Sequence, residues 1–279
     1  MRLSHILSTL FVAGALGACT PGADTPASST SAANSTSGEQ SGQAKTTSSL
    51  KKTFDPKAYF RDVAINARND GDYQTAVFYW AKAYEADPKN TDVALLYARD
   101  LRYSGGTQVA IQVLKHASSI SSSPRIKEEM GKALIAEGRL DEAITVLEQS
   151  ASADPTNWRV YSSLGIARDQ MQDYEGSKKA YERALALSPG NLAVLNNYAL
   201  SRATAGDIEA AEQMISKAAA APGANMQIRQ NRVLILSMSG RFEEAQRIAS
   251  ADLPPAFAEQ NIDIYREMLA EQDRWKRLQ

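Results

Sequence analysis

Along residues 158–191 bulky and small side chains recur at helical spacing. Trp158, Tyr161, Leu164 and Gly165 fall along one helix, and Ser177, Tyr181 and Ala184 line a second, with Gln172-Asp173-Tyr174 as the turn between them and Pro189 as the stop. The pattern repeats. Gly71, Gly105, Gly138, Gly206 and Gly240 are separated by 34, 33, 68 and 34 residues, and Gln172 fills the place that the double step passes over. Ala76, Ala110, Ala143, Ser177, Ala211 and Ala245 keep the same beat, and Pro88, Pro155, Pro189 and Pro222 close units. Six copies of a unit of about 34 residues follow, each a helix pair that must stack on its neighbours to bury its apolar face.

Each recurrent place has a physical reason. Gly131 and Gly165, with Ala64, Ala98 and Ala199 in the same column, are small where two helices approach closely. Gly71 and Gly206 supply a backbone that takes positive φ just past a helix end. Tyr73, Leu140, Tyr174, Ile208 and Phe242 then plug the turn, and Asp141-Glu142 or Glu243-Glu244 put negative charge at the N-terminus of the second helix. Asp87-Pro88 and Asp154-Pro155 end units, because the residue before proline resists the α region. With its tryptophan, Leu-Gly pair, small, aromatic, alanine and proline places, the 158–191 unit resembles the tetratricopeptide repeat. It departs only at Arg168 and Gln172. The resemblance implies an all-α, right-handed superhelix over residues 51–255. The sixth unit is cut short by Ala251-Asp252-Leu253-Pro254-Pro255. Residues 256–279 are expected to form a capping helix with Phe257, Ile264, Met268, Trp275 and Leu278 on one apolar stripe.

The chain begins differently. An apolar run over 6–16, too short to span a bilayer, ends in Leu16-Gly17-Ala18-Cys19. This resembles the lipobox of bacterial lipoproteins, which implies a signal peptide over 1–18 and an acylated Cys19. Thr20 after the cysteine, rather than Asp, favours the outer membrane by the same resemblance. Residues 20–50 hold fourteen Ser or Thr in thirty-one positions and no aromatic residue. The segment 19–50 is therefore expected to be a disordered tether, with a reach of roughly 30 Å for a flexible linker of that length.

Composition narrows the chemistry. Cys19 is the sole cysteine, His5 and His116 are the two histidines, and 31 basic residues face 32 acidic ones. A disulfide framework, a Cys/His metal cluster and bulk nucleic-acid binding are excluded by these counts. No phosphate-binding loop, HExxH or GxSxG motif is present, and Gly131-Lys132 lacks both the upstream glycine and the following Ser or Thr. The expectation is no catalytic activity, no cofactor, no metal and no small-molecule substrate. A concave wall for a protein segment remains. Its inward columns read as Arg61, Arg68, Arg99, Arg102, Arg125, Lys132 and Arg159 at one end, and as Asn196, Gln230, Leu200 and Leu234 at the other. Two readings stay open for the basic end: a clamp for acidic groups, or cations paired with neighbours such as Asp92 and Glu128.

The lipobox, tether and repeats, together with Asn196-Asn197-Tyr198-Ala199-Leu200, Ala219-Ala220-Ala221-Pro222-Gly223-Ala224, Arg229-Gln230-Asn231 and the 251–255 motif, resemble the TadD family of tetratricopeptide lipoproteins in the tight-adherence (Flp) pilus machinery. That resemblance is best from Trp158 onward. It implies a pilotin that binds the pilus secretin, or other pilus-assembly proteins, at the periplasmic face of the outer membrane. A generic lipoprotein scaffold for outer-membrane or cell-wall assembly complexes is the alternative, and an enzyme with an unrecognised site is a second.

Overall fold

A computed structural model describes residues 55–276, with side chains as far as Glu271. The predicted signal peptide, Cys19 and the tether lie outside the described residues. The described residues form thirteen helices: α1 (Pro56–Asn69), α2 (Tyr73–Ala86), α3 (Thr91–Tyr103), α4 (Thr107–Ile120), α5 (Pro124–Ala136), α6 (Leu140–Ala153), α7 (Trp158–Gln170), α8 (Tyr174–Leu187), α9 (Leu192–Thr204), α10 (Ile208–Ala220), α11 (Met226–Met238), α12 (Phe242–Asp252) and α13 (Pro255–Lys276). No strand occurs among the described residues. Each odd helix through α11 packs on the even helix that follows it, and successive odd helices from α3 onward also touch, so the odd helices form one wall of the array.

The termini explain why helices begin where they do. Asp55, Asp72, Asn90, Asn157, Asp173, Asn191, Asp207 and Asn225 each accept a backbone N–H of the first turn. Helices α6 and α12 lack such a side-chain bond, and there Asp141-Glu142 and Glu243-Glu244 occupy the first turn, where negative charge favours the exposed N–H groups. Between the helices of each pair the backbone turns left-handed. Gly71, Gly105, Gly138, Gly206 and Gly240 have φ of 77 to 89°, and Gln172 takes the same conformation at 61°.

Within a pair, volumes complement each other. A Cβ on Gly165 would stand 2.6 Å from the Tyr181 ring, and one on Gly131 would overlap Leu147. In the last pair the sizes are exchanged: Val233 stands in the small column and Ala249 opposite it in register, both fully buried in one cluster. Ala76, Ala110, Ala143, Ser177, Ala211 and Ala245 have no exposed surface.

Buried polar groups join neighbouring pairs. Asp100, fully buried, accepts from the Trp80 indole Nε1 at 2.7 Å and from Arg68 Nε at 2.9 Å. Asp169 accepts from Ser201 Oγ at 2.7 Å and from the Tyr181 hydroxyl at 2.9 Å. Because its donors are neutral, burial prevails over these bonds and pushes the Asp169 carboxyl up to about 6.

The capping helix is turned differently from the sequence expectation. Ala258 and Ile262 are fully buried and Tyr265 packs with them against Phe242 and Ile248, whereas Phe257 and Ile264 are exposed. Helix α13 meets α11 and α12, and the 262 position repeats the buried column of Ile126, Val160, Val194 and Ile228. A stripe read from large residues alone overlooked the contribution of small Ala258. Trp275 and Leu278 lie outside the described side chains.

Candidate protein-binding groove

The odd helices enclose a concave groove of about 1160 Å³ that runs from α3 to the start of α11. Its apolar lining is Leu95, Leu96, Trp158, Ile166, Leu192 and Ile228. Five cations, Arg99, Arg102, Arg125, Lys132 and Arg159, and three carboxylates, Glu128, Glu129 and Asp154, also face it. Asn196, Asn197, Asn225 and Gln227 form its amide end.

The structure thus brings Arg99, Arg102, Lys132, Arg159 and Asn196 to one surface and leaves Arg61, Arg68 and Gln230 out of it. Arg61 is exposed on α1. Arg68 serves the buried Asp100 across the first two repeats. Gln230 turns to Asp252, with Nε2 at 3.5 Å. Leu200 is buried in a core cluster and Leu234 packs against it, so the expected apolar end belongs to the array's interior.

The groove cations differ in state. Arg102 and Glu129 form a buried pair with Nε to Oε1 at 2.9 Å. Lys132 bonds to Glu128 and lies 4.0 Å from Glu129. Burial alone would raise the Glu129 pKa, yet Arg102 and Lys132 together hold it below the ordinary carboxylate range. Of the two counter-ions that the sequence suggested, Glu128 pairs with Lys132, whereas Arg102 is held by Glu129 and not by Asp92. Arg159 stacks on Trp158, with its guanidinium carbon 4.7 Å from the ring centre. Arg99 approaches Asp100 only to 3.9 Å, and burial followed by repulsion from Arg68 pushes its pKa down.

At the amide end Asn231 donates to Asn196 Oδ1 at 2.7 Å, Asn196 donates to Asn197 Oδ1 at 3.3 Å, and Gln227 donates to Asn231 at 3.2 Å. Asn196 is 2% exposed, so it fixes the floor between α9 and α11 while part of its amide is engaged. The Arg229-Gln230-Asn231 and 251–255 motifs form one cluster: Arg229 grips Asp252 through Nε and Nη2, at 2.7 to 3.0 Å, and holds that carboxyl below its ordinary range. The groove's helix-capping asparagines were not singled out in the sequence; an Asn just before a periodic apolar run is the signal that finds them. His116 is a surface residue whose Nδ1 lies 2.7 Å from the Tyr84 hydroxyl. No group of three or more metal-ligating side chains occurs among the described residues, and no described helix is long and apolar enough to cross a membrane.

Comparison with known proteins places this architecture. The tetratricopeptide-repeat family model matches residues 158–191, and the model described as anaphase-promoting complex, cyclosome, subunit 3 matches residues 69–150. The fold is that of a tetratricopeptide-repeat superhelix. Its structure is similar to PilW, described as a widely conserved type IV pilus biogenesis factor, at 20% identity and a TM-score of 0.63 over 74% of this chain and 97% of PilW. It is similar also to a thermophilic tetratricopeptide protein of Thermus thermophilus, at 15% identity and a TM-score of 0.59 over 64% of this chain and 98% of that one. No curated protein matches the sequence. A tetratricopeptide array of this kind is a protein-interaction scaffold.

Proposed function

We propose that this tetratricopeptide scaffold is a lipoprotein of the bacterial outer membrane that binds a pilus-assembly protein, the secretin first among candidates, and acts as its pilotin. The observation that carries the reading is the continuous groove on the odd-helix wall, in a chain whose sole cysteine ends a lipobox. A groove of five helices offers the extended surface that a polypeptide segment needs, and acylation of Cys19 would hold it at the membrane where a secretin assembles. Support for pilus assembly comes from the TadD-like motifs and from the fold shared with PilW, itself described as a pilus biogenesis factor.

Deletion of the gene is expected to abolish surface pili and to leave the secretin mislocalised and unassembled. Normal secretin multimers in the deletion strain would rule out the pilotin role. Cys19→Ser is expected to move the protein from the outer-membrane to the soluble periplasmic fraction, and retention in the membrane would rule out the lipid anchor.

A further inference from the structure

We infer that the groove selects a segment carrying aspartate or glutamate beside apolar side chains, gripped by Arg99, Arg125 and Arg159. This rests on the reading that the groove is the partner-binding face. The groove cations fall into two sets. Arg102 and Lys132 already bond to Glu129 and Glu128, both under 10% exposed. An incoming carboxylate there would replace one anion with another and leave a buried charge unpaired.

The other three are available. Arg125 and Arg159 are exposed and make no ion pair among the described residues, and Arg159 is held in place by its stack on Trp158. Arg99 is partly buried beside Asp100, whose oxygens are already taken by Arg68 and Trp80. Burial and the neighbouring Arg68 disfavour its charge, so a carboxylate brought by a partner relieves a cost that the free protein carries.

Position turns these cations into a track. Arg99 lies on α3, Arg125 on α5 and Arg159 on α7, so a segment running along the wall meets one available arginine per repeat. Leu95 and Leu96 flank the first and Trp158 the last, giving apolar contact beside each end of the track. A basic segment would face the same arginines with Asp154 as the one groove carboxylate not already engaged by a cation, since Glu128 and Glu129 are consumed.

A library of short random peptides displayed on phage, selected on the full chain, on R125E/R159E and on R61E, tests this. R61E makes the same change of charge outside the groove. Binders to the unchanged chain and to R61E are expected to be enriched in Asp or Glu next to apolar residues. A representative synthetic binder should weaken at least about tenfold on R125E/R159E, and comparably when its own glutamates become glutamines. Both arginines are exposed, so equal thermal midpoints by circular dichroism will show that the double variant is folded. Absence of acidic enrichment, equal binding to the double variant, or no binders at all would overturn the inference. Failure of the broader reading looks different: binders that are lost with neither R125E/R159E nor a bulky A193W substitution in the groove dock elsewhere, which would overturn the groove itself.

Discussion

Gln172 holds a left-handed backbone at a place where five other turns use glycine, and it is exposed, so its strain is nearly free of packing effects. A non-glycine residue in this region costs on the order of 1–3 kcal/mol, and glycine's greater unfolded-state entropy offsets part of any gain from replacing it. Gln172→Gly is therefore expected to stabilise the protein by about 1 kcal/mol. The converse change, Gly206→Ala, meets open space at its Cβ and should lose roughly 1 kcal/mol through the backbone alone. Urea unfolding of the two variants checks both signs. The glycine beat made Gln172 readable in advance, because a conformational requirement leaves a mark on residue type. Asp169 left no such mark: its burial arises from Tyr181 and Ser201 on other helices, so its altered acidity appears only once the chain is folded.

That carboxylate also sets a pH dependence. Its folded pKa of about 6 lies above the ordinary 3.8, so between these values the folded state holds more proton than the unfolded one. Stability contributed by the protonated form is present below pH 4 and is lost as pH rises toward 6, by up to about 3 kcal/mol for a shift of this size. Glu129 works in the opposite direction and in a lower window, since its depressed folded pKa makes its contribution vanish as pH falls below the ordinary carboxylate range. Denaturation midpoints between pH 4 and 6 should fall for the unchanged chain and stay nearly level for Asp169→Asn. Parallel curves would show that another group governs this range.

At the scale of elements, each helix pair depends on one large side chain seated against a small one. Gly165→Ala drives a methyl toward the Tyr181 ring, and overpacking of this kind typically costs about 1–3 kcal/mol. The same range is expected for a bulky residue at Ala143. Asp100→Ala should cost more, about 3 kcal/mol or above, because Arg68 and the Trp80 indole would both lose a buried partner. Thermal midpoints of single variants would rank them in this order. The helix pairs, their turns and the closing prolines were legible because spacing alone specifies them. The facing of α13 was not, since Phe257 and Ile264 look like core residues by type, while Ala258 and Ile262 pack simply by lying on the side that meets α11 and α12.

For the whole molecule, the concave wall was foreseeable from the repeat, and six of the eleven groove residues chosen from sequence lie on it. The remainder depended on partners that periodicity cannot reveal: Arg68 is drawn inward by Asp100, and Gln230 is drawn sideways by Asp252. The cancellation of Arg102 and Lys132 by Glu129 and Glu128 likewise needs neighbouring helices in register. What survives is a groove whose available cations lie at one end and whose amides brace the other. A photo-crosslinking residue placed singly at Arg159 or Ala193 in the groove, or at the exposed Val109 on α4 outside it, reports where the partner sits in cells. Adducts with the secretin from 159 and 193 and none from 109 are predicted; adducts from 109 with none from the groove would contradict the assignment of the concave wall as the binding face.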